Sequence, residues 1–572
     1  MRYQKLMSEF LERQAEQHGS HLDPLNITNA FMALNRQLLA DPARLAQTQL
    51  SLWQDYMKLW QSTSMRLLGQ EHAPVIDAPR GDRRFKGEEW RNVEVFDFIK
   101  QAYLLTAKHL TDTVANVDGL DPKARAKVDF YTRQFIDAMS PSNFVLTNPQ
   151  VLKATIEEKG ENLLRGLSQV LEDLERGHGR LDTQITDTKA FEVGVNVAVT
   201  PGKVVFENRM FQLIQYAPLT EQVHKVPLLI IPPWINKFYI LDLTPEKSFV
   251  RWATEQGHTV FIMSWVNPDE RYRDTDFEDY MLEGVLAACD AIEQATGEPS
   301  CNVIGYCIGG TLLTATLAYL HAKGQADRVK SATFFTAQAD FTDAGELLVF
   351  VDEEQLAAMD RMMAQKGYLD GAVMAQTFNM LRSNDLIWSY VVNNYLLGRD
   401  PLPFDLLYWN ADSTRLPRAM VLYYLKNMYQ ENNLVKPGKL VLGGVPIDLR
   451  TIKTPSFIQA GKDDHIAPFV SAYKLVHLLK GPTTFVLAGS GHIAGVVNPP
   501  AARKYQYWTN RARPANAQDW LAKAEEHPGS WWPYWASWLK RRAGPMVPAR
   551  QPGDGKLTVI EDAPGRYVKV KG

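Results

Sequence analysis

Val303-Ile304-Gly305-Tyr306-Cys307-Ile308-Gly309-Gly310 is the stretch whose reading decides the fold. An apolar run passes into Gly-x-Cys-x-Gly and then into a second apolar stretch, the pattern of a buried strand, a sharp turn and a helix. Such a turn holds its central residue in a strained backbone position, and it packs helix against strand so closely that a side chain at Gly305 or Gly309 would collide. This is a nucleophile elbow, a lipase-like box with sulfur in place of oxygen. The competing reading is a buried structural cysteine at a tight turn. With glycine near its usual roughly 7% usage, chance rarely sets one on both sides of a given cysteine. Cys289 and Cys301 have no such flanks and read as small core residues.

Outward from the elbow, short apolar runs alternate with helical stretches, which predicts a parallel sheet with crossover helices. Predicted strands cover residues 228–231, 259–263, 302–306, 332–335, 456–459 and 484–487, with helices at 277–294 and 310–322. An elbow predicts an acid after a later strand and a histidine after the last. Asp464 follows the run at 456–459, with Asp463 as its rival and capping of the next helix as the plainer role for either. His492 follows the run at 484–487 in Ala488-Gly-Ser-Gly-His492 and reads as the base, while His465 reads as a supporting histidine. Oxyanion donors are expected at the backbone N–H of Ile308, directly after the nucleophile, and at one in Pro232-Pro-Trp-Ile-Asn-Lys237. Prolines have no N–H, so that second donor is placed at Ile235.

The whole chain has 572 residues, 45% hydrophobic and 22% charged, more than one core needs. Residues 1–190 read as a helical N-terminal domain with a stripe at Trp53, Tyr56, Leu59 and Trp60, and residues 191–572 as the α/β catalytic domain. Within the latter, residues 338–450 are too long for one crossover and read as a cap (lid) insertion over the strand ends. The final 30 residues, rich in Pro and Gly, read as a loose tail. A net charge of -3 gives no basic field for nucleic acid. Residues 226–235, the longest apolar run, are about half the roughly 20 needed to span a bilayer, so no transmembrane segment is expected. Acidic residues within 1–13 do not suit an export signal, and three unpaired cysteines suit a reducing compartment, so a cytoplasmic protein is expected.

Sulfur as nucleophile bears on the reaction. A thioester substrate exchanges onto Cys307 with little change in energy, and the acyl group stays activated for transfer to an alcohol. That favours acyl transfer over hydrolysis, provided that water is kept out.

Several stretches together resemble the polyhydroxyalkanoate synthases, class I. They are Pro232-Pro-Trp-Ile-Asn-Lys, Gly305-Tyr-Cys-Ile-Gly-Gly, Phe404-Asp-Leu-Leu-Tyr-Trp-Asn-Ala-Asp-Ser-Thr, Asp464-His-Ile-Ala-Pro and Gly491-His-Ile-Ala-Gly-Val-Val-Asn-Pro-Pro. The resemblance implies an α/β-hydrolase fold and a triad of Cys307, His492 and Asp464. It implies polymerisation of (R)-3-hydroxyacyl-CoA, short-chain units preferred, into polyester with release of CoA. No metal or cofactor is implied. A homodimer at the surface of polymer granules in the cytoplasm is expected, with the growing polyester chain as a partner. The aromatic run around Trp531, Trp535 and Trp538 offers a contact surface for polymer, with core packing as its plainer role. The rival functions are a cysteine-dependent thioesterase or hydrolase of the same fold and a non-catalytic granule scaffold.

Overall fold

The computed structural model describes residues 27–70 and 72–572; the stretch read for an export signal, residues 1–13, lies outside the described residues. Contacts divide the chain into two units: the described residues up to Asp187 with Gln376–Leu402, and Thr188–Ala375 with Pro403–Gly572.

The first unit is helical. Three of its helices begin at an Asx-Pro step, Asp41 before Pro42–Leu67, Asp121 before Pro122–Ala138 and Asn148 before Pro149–Glu157. In each, the Asx side chain accepts first-turn backbone N–H groups, and the proline occupies a position whose missing N–H has no intrahelical partner to lose. The stripe read at 53–60 is only half inward: Leu59 is buried and Tyr56 donates its hydroxyl to Ala102 O at 3.2 Å, but Trp53 and Trp60 are each 61% exposed. The sequence reading kept all of 338–450 in the second domain, whereas Gln376–Leu402 groups with the helices. Buried carboxylates explain the attachment. Asp137 accepts from Ser383 Oγ at 2.9 Å and Asn384 Nδ2 at 2.7 Å, and Asp173 accepts from the Tyr395 hydroxyl at 2.6 Å.

The second unit is built on an eleven-stranded sheet. In chain order its strands are β1 (Gly202–Glu207), β2 (Phe211–Tyr216), β3 (Leu228–Ile231), β4 (Val260–Trp265), β5 (Cys301–Tyr306), β6 (Val329–Phe335), β7 (Ser456–Gly461), β8 (Thr483–Ala488), β9 (Gln506–Thr509), β10 (Glu525–Pro528) and β11 (Glu561–Asp562). Across the sheet they run β11-β1-β2-β4-β3-β5-β6-β7-β8-β9-β10. Strands β4, β3, β5, β6, β7 and β8 are mutually parallel, and antiparallel strands flank them. This is the α/β-hydrolase order. The parallel strands are continuous apolar runs because apolar clusters cover both faces. At β3 the order reverses, and a crevice opens outside the strand ends at such a switch point.

One local reading is corrected, and the plainer reading of the tryptophan run holds. The tail is docked rather than loose: Met546–Pro548 pairs with Gln222–His224, and β11 extends the sheet beside β1. Trp531, Trp532, Trp535 and Trp538 are all buried, three of them with indole N–H groups bonded inside the protein, so that run packs the core. Among the described residues no helix is long and apolar enough to cross a membrane.

Candidate active site

Cys307 stands between β5 and the helix Ile308–Ala322 with φ 54° and ψ -123°, a conformation that costs a side-chain-bearing residue about 1–3 kcal/mol. Its surroundings impose it. Cys307 N–H donates to Phe335 O at 2.9 Å, continuing the ladder with β6 past the end of β5. A Cβ on Gly305 would lie 2.6 Å from Gly310 Cα, and one on Gly309 would lie 2.4 Å from Ile231 O. Both glycines therefore permit the helix to sit against β5 and against the end of β3, with Cys307 half-buried at the turn.

The acid and histidine loops continue the β7–β8 pairing. Lys462 N–H donates to Ala488 O at 2.8 Å and Asp463 N–H to Ser490 O at 3.1 Å, which aligns the two turns side by side. Asp464 points inward while Asp463 is exposed. One oxygen of Asp464 accepts the N–H groups of Ile466 and Ala467, 2.9 Å each, and the other lies 2.7 Å from Nδ1 of His492. The imidazole, held by Nδ1, lies in hydrogen-bonding reach of the Cys307 sulfur. Burial opposes its charged form, but the charges of Asp464 and Cys307 and hydrogen bonds to both outweigh burial and hold its pKa well above the ordinary histidine value. The Tyr306 hydroxyl donates to His492 O at 3.3 Å and backs the ring.

Ile308 begins its helix, so its N–H has no acceptor within that helix and lies one residue from the sulfur. Ile235 lies in the loop after β3, the strand that Gly309 touches. This loop is clamped by residues of the 404–414 motif: Thr414 N–H donates to Ile235 O at 3.2 Å, Trp409 Nε1 to Lys237 O at 2.7 Å, and Lys237 Nζ lies 2.6 Å from Asp412 Oδ1. The Tyr239 hydroxyl donates to Asp412 Oδ2 at 2.8 Å. Sequence reasoning treated 232–237 and 404–414 as separate motifs; they are two sides of one buried clamp. It also missed Tyr424 and Tyr429, whose hydroxyls feel the charge of Cys307. Cys289 and Cys301 lie in the core with sulfurs 3.9 Å apart, away from this array.

Residues 81–253 match the family described as poly-beta-hydroxybutyrate polymerase (PhaC) N-terminus, and residues 227–499 the alpha/beta hydrolase fold. The poly(3-hydroxyalkanoate) polymerase of Methylorubrum extorquens is 52% identical over 556 residues, 97% of this chain and 91% of that protein. The poly(3-hydroxyalkanoate) polymerase subunit PhaC of Cupriavidus necator is 45% identical over 537 residues, 93% of this chain and 89% of that protein. Among solved structures, a monoacylglycerol lipase of Paleococcus ferrophilus aligns over 49% of this chain and 90% of its own at 14% identity, with a TM-score of 0.32.

Proposed function

The chain belongs to the poly(3-hydroxyalkanoate) polymerase family, and from that premise we propose that this acyltransferase builds its polyester from (R)-3-hydroxyacyl-CoA through an acyl group carried on Cys307. The supporting observation is the continuous array Asp464, His492, Cys307 at the ends of β7, β8 and β5.

In the first step the Cys307 sulfur attacks the thioester carbon, and the carbonyl oxygen takes up charge toward the N–H groups of Ile308 and Ile235. The bond to the CoA sulfur then breaks, and the departing thiolate takes a proton from His492. In the second step His492 removes the proton of a 3-hydroxyl group, whose oxygen attacks the acyl carbon. The bond to Cys307 breaks, and the chain is one unit longer. Asp464 stabilises the imidazolium in both steps and fixes its tautomer. The reaction so written calls on no metal or cofactor; CoA arrives with the substrate.

Within the second unit, residues 338–375 and 403–450 act as the cap that keeps water from the acyl-enzyme, a reading supported by Tyr424 and Tyr429, whose hydroxyls feel the charge of Cys307. The units the enzyme prefers are short, such as 3-hydroxybutyryl. The working form is a cytoplasmic homodimer at the polymer granule, tested by sedimentation and by co-flotation with isolated granules. Incubation with (R)-3-hydroxybutyryl-CoA, with CoA thiol and product size followed together, tests the reaction. Polymer supports it; free hydroxyacid identifies a hydrolase, and no release of CoA a scaffold.

A further inference from the structure

Phe341, Tyr424 and Tyr429 form a three-ring cluster with centroid separations of 4.9 Å for Phe341 and Tyr429, 5.8 Å for the tyrosines and 5.9 Å for Phe341 and Tyr424. Tyr424 ends the helix Arg418–Tyr424, and Tyr429 lies in the π-helical turn Leu425–Gln430 that follows it. A π turn inserts a residue and so re-aims the side chains after it, and such turns recur at functional sites.

Hydrogen bonds fix this cluster to both sides of the candidate triad. Beyond the π turn Asn432 accepts Phe341 N–H at 3.0 Å and donates to Asp340 Oδ1 at 2.9 Å. Gln338, two residues before Asp340, accepts Thr311 Oγ at its carbonyl at 2.7 Å and donates from Nε2 to Ile466 O at 3.2 Å. Thr311 is in the first turn of the Cys307 helix, and Ile466 belongs to the turn that Asp464 caps. The segments that carry the rings are thus tied to the Cys307 helix and to the Asp464 turn by one short chain of bonds.

The two phenols differ. Tyr424 sets its hydroxyl against Thr311, whereas the Tyr429 hydroxyl has no hydrogen-bond partner among the described residues and its side chain is half-buried. Burial, with the nearby charges of Cys307 and Asp464, holds the Tyr429 pKa well above the ordinary phenol value, so the group stays protonated, able to donate and to accept. An acyl group on Cys307 turns its carbonyl oxygen toward the Ile308 N–H. Its 3-hydroxyl is then the remaining polar atom, itself both a donor and an acceptor.

We propose that the Tyr429 hydroxyl binds the 3-hydroxyl of the acyl group carried on Cys307, so that the site selects 3-hydroxyacyl thioesters over acyl thioesters without that hydroxyl. The proposal rests on the Cys307 acyl-enzyme reading. A site built to bond a hydroxyl rejects the analogue that lacks it, because the site's own polar group is left unpaired.

The test compares first-turnover CoA release, which needs no attacking hydroxyl, from (R)-3-hydroxybutyryl-CoA and butyryl-CoA by the full-length wild type and by Tyr429→Phe, which keeps the ring. The wild type should prefer the hydroxylated thioester in the second-order rate of that first release. Tyr429→Phe should lower that preference roughly 10- to 100-fold, the loss falling on the hydroxylated thioester. The urea midpoint should not fall, since no bond within the protein is lost. An unchanged preference in Tyr429→Phe, or a wild type indifferent to the hydroxyl, overturns the assignment. Cys307→Ala separates the two failures: if it still releases CoA at the wild-type rate, the acyl-enzyme reading has failed, whatever Tyr429 does.

Discussion

His492 Nδ1 lies 2.7 Å from one oxygen of Asp464, whose other oxygen already holds the backbone N–H groups of Ile466 and Ala467. The carboxylate is therefore fixed by its own turn before it meets the imidazole. In Asp464→Asn the amide oxygen keeps the turn, and the NH2 group faces Nδ1, which forces the wrong tautomer. Elongation should fall roughly 100-fold or more, and the first release of CoA should fall less, because a thiol needs less help from a base than a chain-end hydroxyl does. Single-turnover and steady-state kinetics separate the two steps. Asp463 is exposed, so Asp463→Asn should leave both near wild type; the reverse order of damage would move the acid to Asp463.

Cys307→Ser should accept acyl groups poorly and stall, since the oxygen ester it forms is less reactive toward the next hydroxyl. Polymer yield against time reads this directly. A serine variant as fast as the parent would remove the reason for sulfur at the elbow.

Lys237 and Asp412 form a buried pair at 2.6 Å, with 4% and 11% side-chain exposure. Lys237→Met should lower stability by about 3–5 kcal/mol, since it leaves Asp412 buried with only the Tyr239 hydroxyl. Adding Asp412→Leu should restore most of the loss. Urea unfolding of the single and double variants gives the coupling, and a double variant as unstable as the single would show that the charges do not depend on each other.

His258 stacks on His224 with ring centres 4.8 Å apart, and burial, with the charge of His224 second, pushes its pKa down to about 3. Unfolded, it takes up a proton near pH 6.5, so the stability it carries is complete above that pH and is lost as pH falls toward 3. Between pH about 7 and about 5 this amounts to about 2 kcal/mol. His258→Gln should lose that much less stability over the same interval by urea unfolding. Equal acid losses in both proteins would contradict it.

The elbow, the acid and the histidine were legible because each follows a strand buried on both faces, which reads as an unbroken apolar run. Strand β2 was not, since Gln212 and Gln215, polar but wholly buried, interrupt its pattern. Strands β9 and β10 are short and polar at the sheet edge, where packing does not demand apolar residues. The Lys237–Asp412 clamp spans 175 positions, and Tyr429 is aimed by a π turn whose register no helical period predicts. The attachment of Gln376–Leu402 to the first unit depends on distant carboxylates, Asp137 and Asp173, that look like ordinary surface charges in the sequence.

The central claim is that the polymer unit passes through the Cys307 sulfur. Rapid acid quenching after the full-length enzyme meets (R)-3-hydroxybutyryl-CoA, followed by peptide mass mapping, measures this most directly. The account predicts a hydroxybutyryl group, or a short run of them, on the peptide that carries Cys307, labile to hydroxylamine and absent from Cys307→Ala. CoA released with Cys307 unmodified at every quench time, or the acyl group found on another residue, would contradict it.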